Sequence, residues 1–163
     1  MTTNQRTNLQ RAVRVFLGVL MLWAAVSKLA NPTEFLGSIN AYQLPLPQDL
    51  FKVAAVVLPW VELLCGLLLL SGLWAETALV IVTGLLVFFV FATGQAWLRG
   101  LEIGCGCFNL QLFGPSERMQ GLVRFLESVS FAFFRNLVLA AMAAFLLRQA
   151  WSRPAATPAR PLG

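Results

Sequence analysis

Residues 51–70 read FKVAAVVLPWVELLCGLLLL, a stretch in which Lys52 and Glu62 are the only charged side chains. An α-helix of about 20 apolar residues is long enough to cross the hydrocarbon core of a bilayer. Pro59 lies inside the stretch, and a membrane helix tolerates an internal proline when neighbouring groups satisfy the carbonyl that the ring frees. The stretch therefore predicts a transmembrane helix.

The same apolar character extends through the whole chain. Of its 163 residues, 58% are hydrophobic and 12% are charged, whereas soluble domains have about 45–50% and about 25%. Further apolar runs at 13–30, 77–97 and 129–150 are long enough to be spans. We predict an all-α integral membrane protein in which residues 1–151 form a single bundle of four transmembrane helices.

The segments between the spans have their own patterns. Residues 31–50 contain three prolines and an apolar patch at helical spacing, which predicts a short interfacial helix after the first span. The segment from Pro115 to Ser128 predicts an amphipathic helix leading into the fourth span. Residues 152–163 predict a disordered tail. The first apolar run resembles a signal peptide, but no small-residue cleavage site follows it, so we interpret it as an uncleaved span.

Basic residues near the ends of the spans indicate the orientation. Four spans place both termini on one side, and the side richer in Lys and Arg usually faces the cytoplasm. The termini carry six basic residues and the opposite side five: Arg6, Arg11, Arg14, Arg148, Arg153 and Arg160 against Lys28, Lys52, Arg99, Arg118 and Arg124. The bias favours cytoplasmic termini. The loop at 98–128 would then face an oxidising compartment, where paired cysteines persist.

The missing residue types exclude several functions. The chain has no histidine, so bis-imidazole haem, most zinc enzymes and imidazole-based catalysis are excluded. It has no Gly-rich phosphate loop. The net charge of +5 comes from arginines that flank apolar runs, which indicates membrane topology rather than a nucleic-acid surface.

Two cysteines separated by one glycine, Cys105 and Cys107, are the most reactive groups in the chain. Their separation of at most about 7 Å falls within the range that a disulfide accepts. The small ring would be strained, and strained, exposed disulfides exchange readily. We predict a redox-active dithiol; a structural disulfide and half of a metal site shared between copies are the alternatives. Cys65, inside the second span, is expected to be a buried small hydrophobe.

Glu62 is the one acidic residue in the middle of a predicted span. A carboxylate inside the membrane costs several kcal/mol unless it is paired or lines a polar cavity. Arg135 in the fourth span and Lys28 near the end of the first are the cations available to it. Such a pair could fix the packing of the bundle, or it could support a quinone pocket or promote thiolate formation at the dithiol.

Several motifs occur together in the order found in one family. They are Ser27–Phe35 (SKLANPTEF), Tyr42–Pro45 (YQLP), Leu58–Gly66 (LPWVELLCG), Cys105–Phe108 (CGCF) and Phe134–Leu137 (FRNL). In this combination the chain resembles the MauE/DoxX family of redox-associated membrane proteins, and most closely its MauE branch. Asn109 replaces a usual glycine, and Gly104 stands where an acid often precedes the first cysteine.

The resemblance implies a four-helix protein of the bacterial inner membrane that supports maturation of periplasmic proteins, such as the disulfide-rich small subunit of methylamine dehydrogenase. We expect Cys105 and Cys107 to act as a membrane thiol–disulfide oxidoreductase toward a thioredoxin-like protein or a disulfide-containing client. Glu62, Arg135 and Lys28 would support them, with no metal and with a bound quinone as an open question. The alternative is a non-catalytic membrane chaperone or scaffold whose Cys-Gly-Cys loop is structural.

Overall fold

The computed structural model describes residues 3–45, 47–101 and 128–152. Nearly all of this part of the chain is helical, and four of its helices are long and apolar enough to cross a membrane. The helices are α1 (Thr3–Ala30), α2 (Pro32–Ala41), α3 (Gln48–Ser71), α4 (Ala75–Leu98) and α5 (Val129–Trp151). The all-α membrane bundle is confirmed. The amphipathic helix expected before the fourth span, and the tail beyond Ser152, lie outside the described residues.

Helix α1 begins ten residues before the first predicted span. The polar residues that precede Val13 include no proline or glycine that would stop a helix, so the helix of the span extends back to Thr3. It ends at Ala30, and Pro32 opens α2 at a first-turn position where its missing N–H costs nothing. The first span is therefore a longer helix than its apolar run indicated, with a polar end.

Helices α1 and α3 are antiparallel and touch through glycines. A Cβ added at Gly66 would lie 3.1 Å from the carbonyl oxygen of Gly18, and one added at Gly18 would lie 3.2 Å from the carbonyl oxygen of Gly66. Small residues allow membrane helices to approach this closely. Counted from this contact at 1.5 Å per residue, α1 extends about 15 Å beyond α3 at the end of the bundle where α1 begins.

At the opposite end α3 extends about 9 Å beyond the last residue of α1. Helix α2 occupies that space and packs on α3 and α1, with Phe35 buried. After α2, the chain places Tyr42 in a small apolar cluster with Ala92 and Ala96 of α4 and Val129 of α5. We call this end of the bundle the α2 end and the other the N-terminal end.

A tight turn joins α3 to α4. Gly72 caps α3 in the left-handed conformation with φ of +76°, and Trp74 follows with φ of +50°. Helix α4 packs mainly on α5, where the ring of Trp97 lies 5.6 Å from that of Phe133. The main apolar core is formed between α1, α3, α4 and α5. Only a third of each spanning stretch is buried, so the remaining apolar side chains face outward, as lipid contact requires.

Candidate functional site

A buried ion pair joins α1 to α3. The ammonium of Lys28 donates to both carboxylate oxygens of Glu62, with Nζ to Oε1 at 2.5 Å and Nζ to Oε2 at 2.6 Å. Both side chains are only 2% exposed. The sequence left two cations as partners for Glu62, and in the structure the carboxylate pairs with Lys28.

The direction of the side chains explains how these two residues meet. In a helix each Cα–Cβ bond tilts toward the N-terminus, and α1 and α3 run in opposite directions. Glu62 therefore leans toward the α2 end, whereas Lys28 leans back from the end of α1 toward the middle of the bundle. The long lysine side chain covers the rest of the separation. Lys28 is near the end of its helix in sequence, but its ammonium group lies inside the bundle.

Two aromatic rings complete the surroundings of the ammonium group. Nζ of Lys28 lies 5.2 Å from the ring centroid of Phe35 on α2 and 5.3 Å from that of Phe89 on α4. A cation within about 6 Å of a ring face is attracted by its electron density. The pair therefore brings together four helices, α1 to α4, around one charged group.

The ion pair lies near the middle of the membrane-spanning region. Glu62 follows the start of α3 by 14 residues, or about 21 Å, and precedes its end by about 14 Å. Phe89 is also well inside its span, about 21 Å after the start of α4 and about 14 Å before its end. At this depth an unpaired carboxylate or ammonium is costly, so each group satisfies the other. Both side chains are buried among the described residues, and the pair links α1 to α3.

Arg135 does not contribute to this pair. It is half-buried on α5, six residues or about 9 Å from the start of that helix. It is therefore nearer the α2 end than Glu62 is. Its neighbour Asn136 is buried, and the amide nitrogen of Asn136 has no hydrogen-bond partner among the described residues.

Cys105 and Cys107 lie outside the described residues, but the residues on both sides of their segment are placed. Leu101 packs on the apolar cluster that contains Tyr42, and Val129 belongs to the same cluster. Ser128 begins α5 by accepting a hydrogen bond from the backbone N–H of Phe131. The segment that carries the cysteines therefore leaves and re-enters the bundle at the α2 end. Cys65 is buried in the main core.

One contact at the α2 end was not anticipated from the sequence. Arg99, just after α4, donates from Nη1 to the backbone oxygen of Gln43 at 3.2 Å and from Nη2 to its side-chain oxygen at 3.0 Å. Gln43 has a φ of +47°, and the arginine attaches this bend to the end of α4. The sequence shows the tyrosine-glutamine pair at 42–43 only as part of a motif, and the structure places it at the end of α4.

Comparison with known proteins gives consistent matches. Residues 6–149 match the family model described as "Methylamine utilisation protein MauE". The methylamine utilization protein MauE of Paracoccus denitrificans is 37% identical over 149 residues, which cover 91% of this chain and 72% of the relative. That of Methylorubrum extorquens is 35% identical over 150 residues, with the same coverage. No solved structure matches significantly. The matches and the four apolar helices agree on a multi-pass membrane protein.

Proposed function

The chain belongs to the MauE family, and from this premise we propose that it acts in methylamine utilisation as a membrane thiol–disulfide component whose reactive groups are Cys105 and Cys107. It would support maturation of a disulfide-containing periplasmic protein, such as the small subunit of methylamine dehydrogenase. The observation that carries the proposal is the Cys-Gly-Cys sequence in a segment whose two flanks, Leu101 and Val129, pack at one end of the bundle.

The chemistry is an exchange between two sulfur pairs. A thiolate at Cys105 or Cys107 attacks a disulfide of the partner, forming a mixed disulfide and releasing one partner thiolate. The second cysteine attacks this mixed disulfide, which closes the Cys105–Cys107 bond and releases the other partner sulfur. Two electrons and two protons pass to the partner, and the reverse sequence oxidises the partner instead. The chain needs no metal or histidine for either direction.

The flanks limit where this exchange takes place. Cys105 follows Leu101 by four residues, so the covalent chain keeps their Cα atoms within about 14 Å. The dithiol would therefore act close to the membrane surface at the α2 end. We assign this end to the periplasm and both termini to the cytoplasm, because paired cysteines persist in an oxidising compartment and because the basic residues slightly favour that orientation.

Lys28 and Glu62 have a structural role in this proposal. The pair lies about 14 Å from the end of α4 at Leu98, counted along the helix from the level of Phe89, and its two charges compensate each other. We therefore expect it to hold α1, α2, α3 and α4 in the arrangement that supports the α2 end, without exchanging protons or electrons with a partner. Arg135, nearer that end, is the better candidate for an electrostatic effect on a thiolate.

Trapping of mixed disulfides tests the proposal. In a Cys65→Ser background, Cys105→Ser and Cys107→Ser each leave one cysteine that cannot complete the exchange. At least one variant should accumulate an adduct with a periplasmic protein that dithiothreitol removes. A matched control keeps Cys65 as the only cysteine and should form no adduct, because Cys65 is buried.

The same variants separate the proposal from the scaffold alternative. If the double Cys105→Ser/Cys107→Ser variant matures its client at the normal rate and no adduct forms with either single variant, the cysteines are structural and the redox proposal is wrong. Loss of maturation together with a trapped adduct supports it.

A further inference from the structure

A pocket with a mixed polar and apolar lining opens at the N-terminal end of the bundle, opposite the end where the cysteine segment is attached. Its volume is about 880 Å³, and it is lined by the polar start of α1, by the α3–α4 turn with the first turn of α4, and by the end of α5. The side chains that concern its chemistry are Arg11, Arg14, Glu76, Thr77 and Gln149. A hydrogen bond from Gln10 to Gln149 links α1 to α5 beside it.

The pocket carries more positive than negative charge. Neither Arg11 nor Arg14 forms an ion pair with Glu76, although all three line the same space. Arg14 is half-buried, and its Nε is fully buried without a hydrogen-bond partner among the described residues. Buried polar groups normally have a partner, so an acceptor for this N–H would have to come from outside the described residues.

The turn beside Arg14 is shaped to leave room for this guanidinium group. A Cβ at Gly72 would lie 3.2 Å from both terminal nitrogens of Arg14, so a glycine lets the arginine lie against the backbone. The next helix begins in the same place. Its N-cap, Trp74, gives no side-chain hydrogen bond, and a helix N-terminus favours an anion. Ala75 and Thr77 of this first turn line the pocket.

We propose that this pocket binds a phosphate group at the membrane surface. Arginine presents several N–H donors in a planar fork that matches the oxygens of phosphate, and here two arginines line one pocket together with the first turn of α4. Leu73 and Trp74 next to the pocket are strongly exposed apolar residues at the end of the spans, as expected at the interface between lipid tails and headgroups. The headgroup of an anionic phospholipid and free phosphate offer the same chemistry.

Lipid nanodiscs that contain the full-length protein test the proposal. Phosphatidylglycerol binding is measured by native mass spectrometry and by the thermal unfolding midpoint, in discs that otherwise contain phosphatidylcholine. A parallel series uses phosphatidylcholine discs with added inorganic phosphate. Protection by phosphatidylglycerol alone assigns the site to lipid headgroups, whereas equal protection by inorganic phosphate assigns it to a soluble phosphate; both support a phosphate site.

Arginine variants give the decisive comparison. Arg11→Gln and Arg14→Gln should each weaken binding about fivefold, and the double variant more than tenfold. The control is Arg148→Gln, which removes the same charge from an exposed position at the same end of the bundle but outside the pocket lining, and it should change affinity less than twofold. Arg11 is exposed, so its variant tests the proposal even if Arg14→Gln folds poorly.

Two results would overturn the proposal. Equal losses in Arg148→Gln and Arg11→Gln would mean that general positive charge attracts the lipid without a defined site. Unchanged binding of phosphatidylglycerol and of phosphate in the Arg11→Gln/Arg14→Gln variant would mean that the pocket does not hold the phosphate group. Neither result depends on the cysteines, so the redox proposal is tested separately.

Discussion

Removing one partner of the Lys28–Glu62 pair should be far more damaging than removing both. When one charge of a buried pair is removed, the other is left uncompensated, at a cost of about 3–5 kcal/mol. The two single variants should differ in how much stability they lose. Glu62→Leu leaves an ammonium group that still faces the rings of Phe35 and Phe89, each worth about 0.5–2 kcal/mol. Lys28→Met leaves a carboxylate whose only described partner has been removed.

We therefore expect a loss of about 3 kcal/mol for Glu62→Leu and about 5 kcal/mol for Lys28→Met in the free energy of unfolding. The double variant replaces both charges by apolar side chains of similar size. Because the desolvation of two ions is then also removed, its loss should be below about 2 kcal/mol. The coupling energy, which is the loss in the double variant minus the two single losses, should therefore be at least about 6 kcal/mol in magnitude, above the range of about 0.5–3 kcal/mol that is usual for residues in contact.

Unfolding in mixed micelles with increasing dodecyl sulfate measures these changes, followed by far-ultraviolet circular dichroism. The chain provides a matched control in Asp49 and Lys52, an ion pair on α3 at 3.1 Å whose side chains are 92% and 64% exposed. Its coupling energy should be below about 0.5 kcal/mol, as for other exposed pairs. A coupling energy at Lys28–Glu62 as small as that of the control would refute the reasoning, because the buried pair would then not hold the helices together.

Three further substitutions test the packing, using the same unfolding measurement. Gly66→Ala should lower the free energy of unfolding by about 1–3 kcal/mol because the new Cβ would lie 2.9 Å from a neighbouring leucine. The control Gly84→Ala should cost nothing, because a Cβ there has nothing within 4 Å. Equal losses in the two variants would contradict the close contact between the helices. Gly72→Ala should cost about 1–2 kcal/mol because its φ is +76°, whereas Gly37→Ala should be neutral; a neutral Gly72→Ala would argue against the left-handed turn. Asn136→Leu should raise the free energy of unfolding by about 1 kcal/mol because it removes a buried amide nitrogen without a described partner. A lower free energy of unfolding would instead show that the amide is hydrogen-bonded.

The sequence predicts the helices well because their signal is local. Runs of apolar residues and the stop at Asn31–Pro32 depend only on neighbouring positions, and the structure has long helices at all four predicted runs. The need of Glu62 for a cationic partner also follows from local physics, since a lone carboxylate is too costly inside a membrane. The prediction of the spans and the prediction of a partner for Glu62 both follow from the apolar environment that a bilayer imposes on any sequence.

The choice between Lys28 and Arg135 could not be made in the same way. Hydrophobic runs determine that helices cross the membrane but not their relative heights, and a shift of one turn moves a side chain by about 5 Å. In the structure α1 and α3 approach closely at Gly18 and Gly66. With the helices at these relative heights, the side chain of Lys28 reaches Glu62. Gly18 could have been suspected as a close-approach residue, but its partner helix could not.

The shift of α1 also accounts for the different character of the two ends. Where α3 projects beyond α1, the bundle leaves a gap that α2 and Tyr42 fill, and Arg99 attaches the following bend to α4. Both flanks of the cysteine segment pack on this filled end. Tethering at two points on the bundle limits how far a dithiol in the segment can move from the membrane. If the dithiol exchanges disulfides as we propose, its partner must therefore come to the membrane surface at the α2 end.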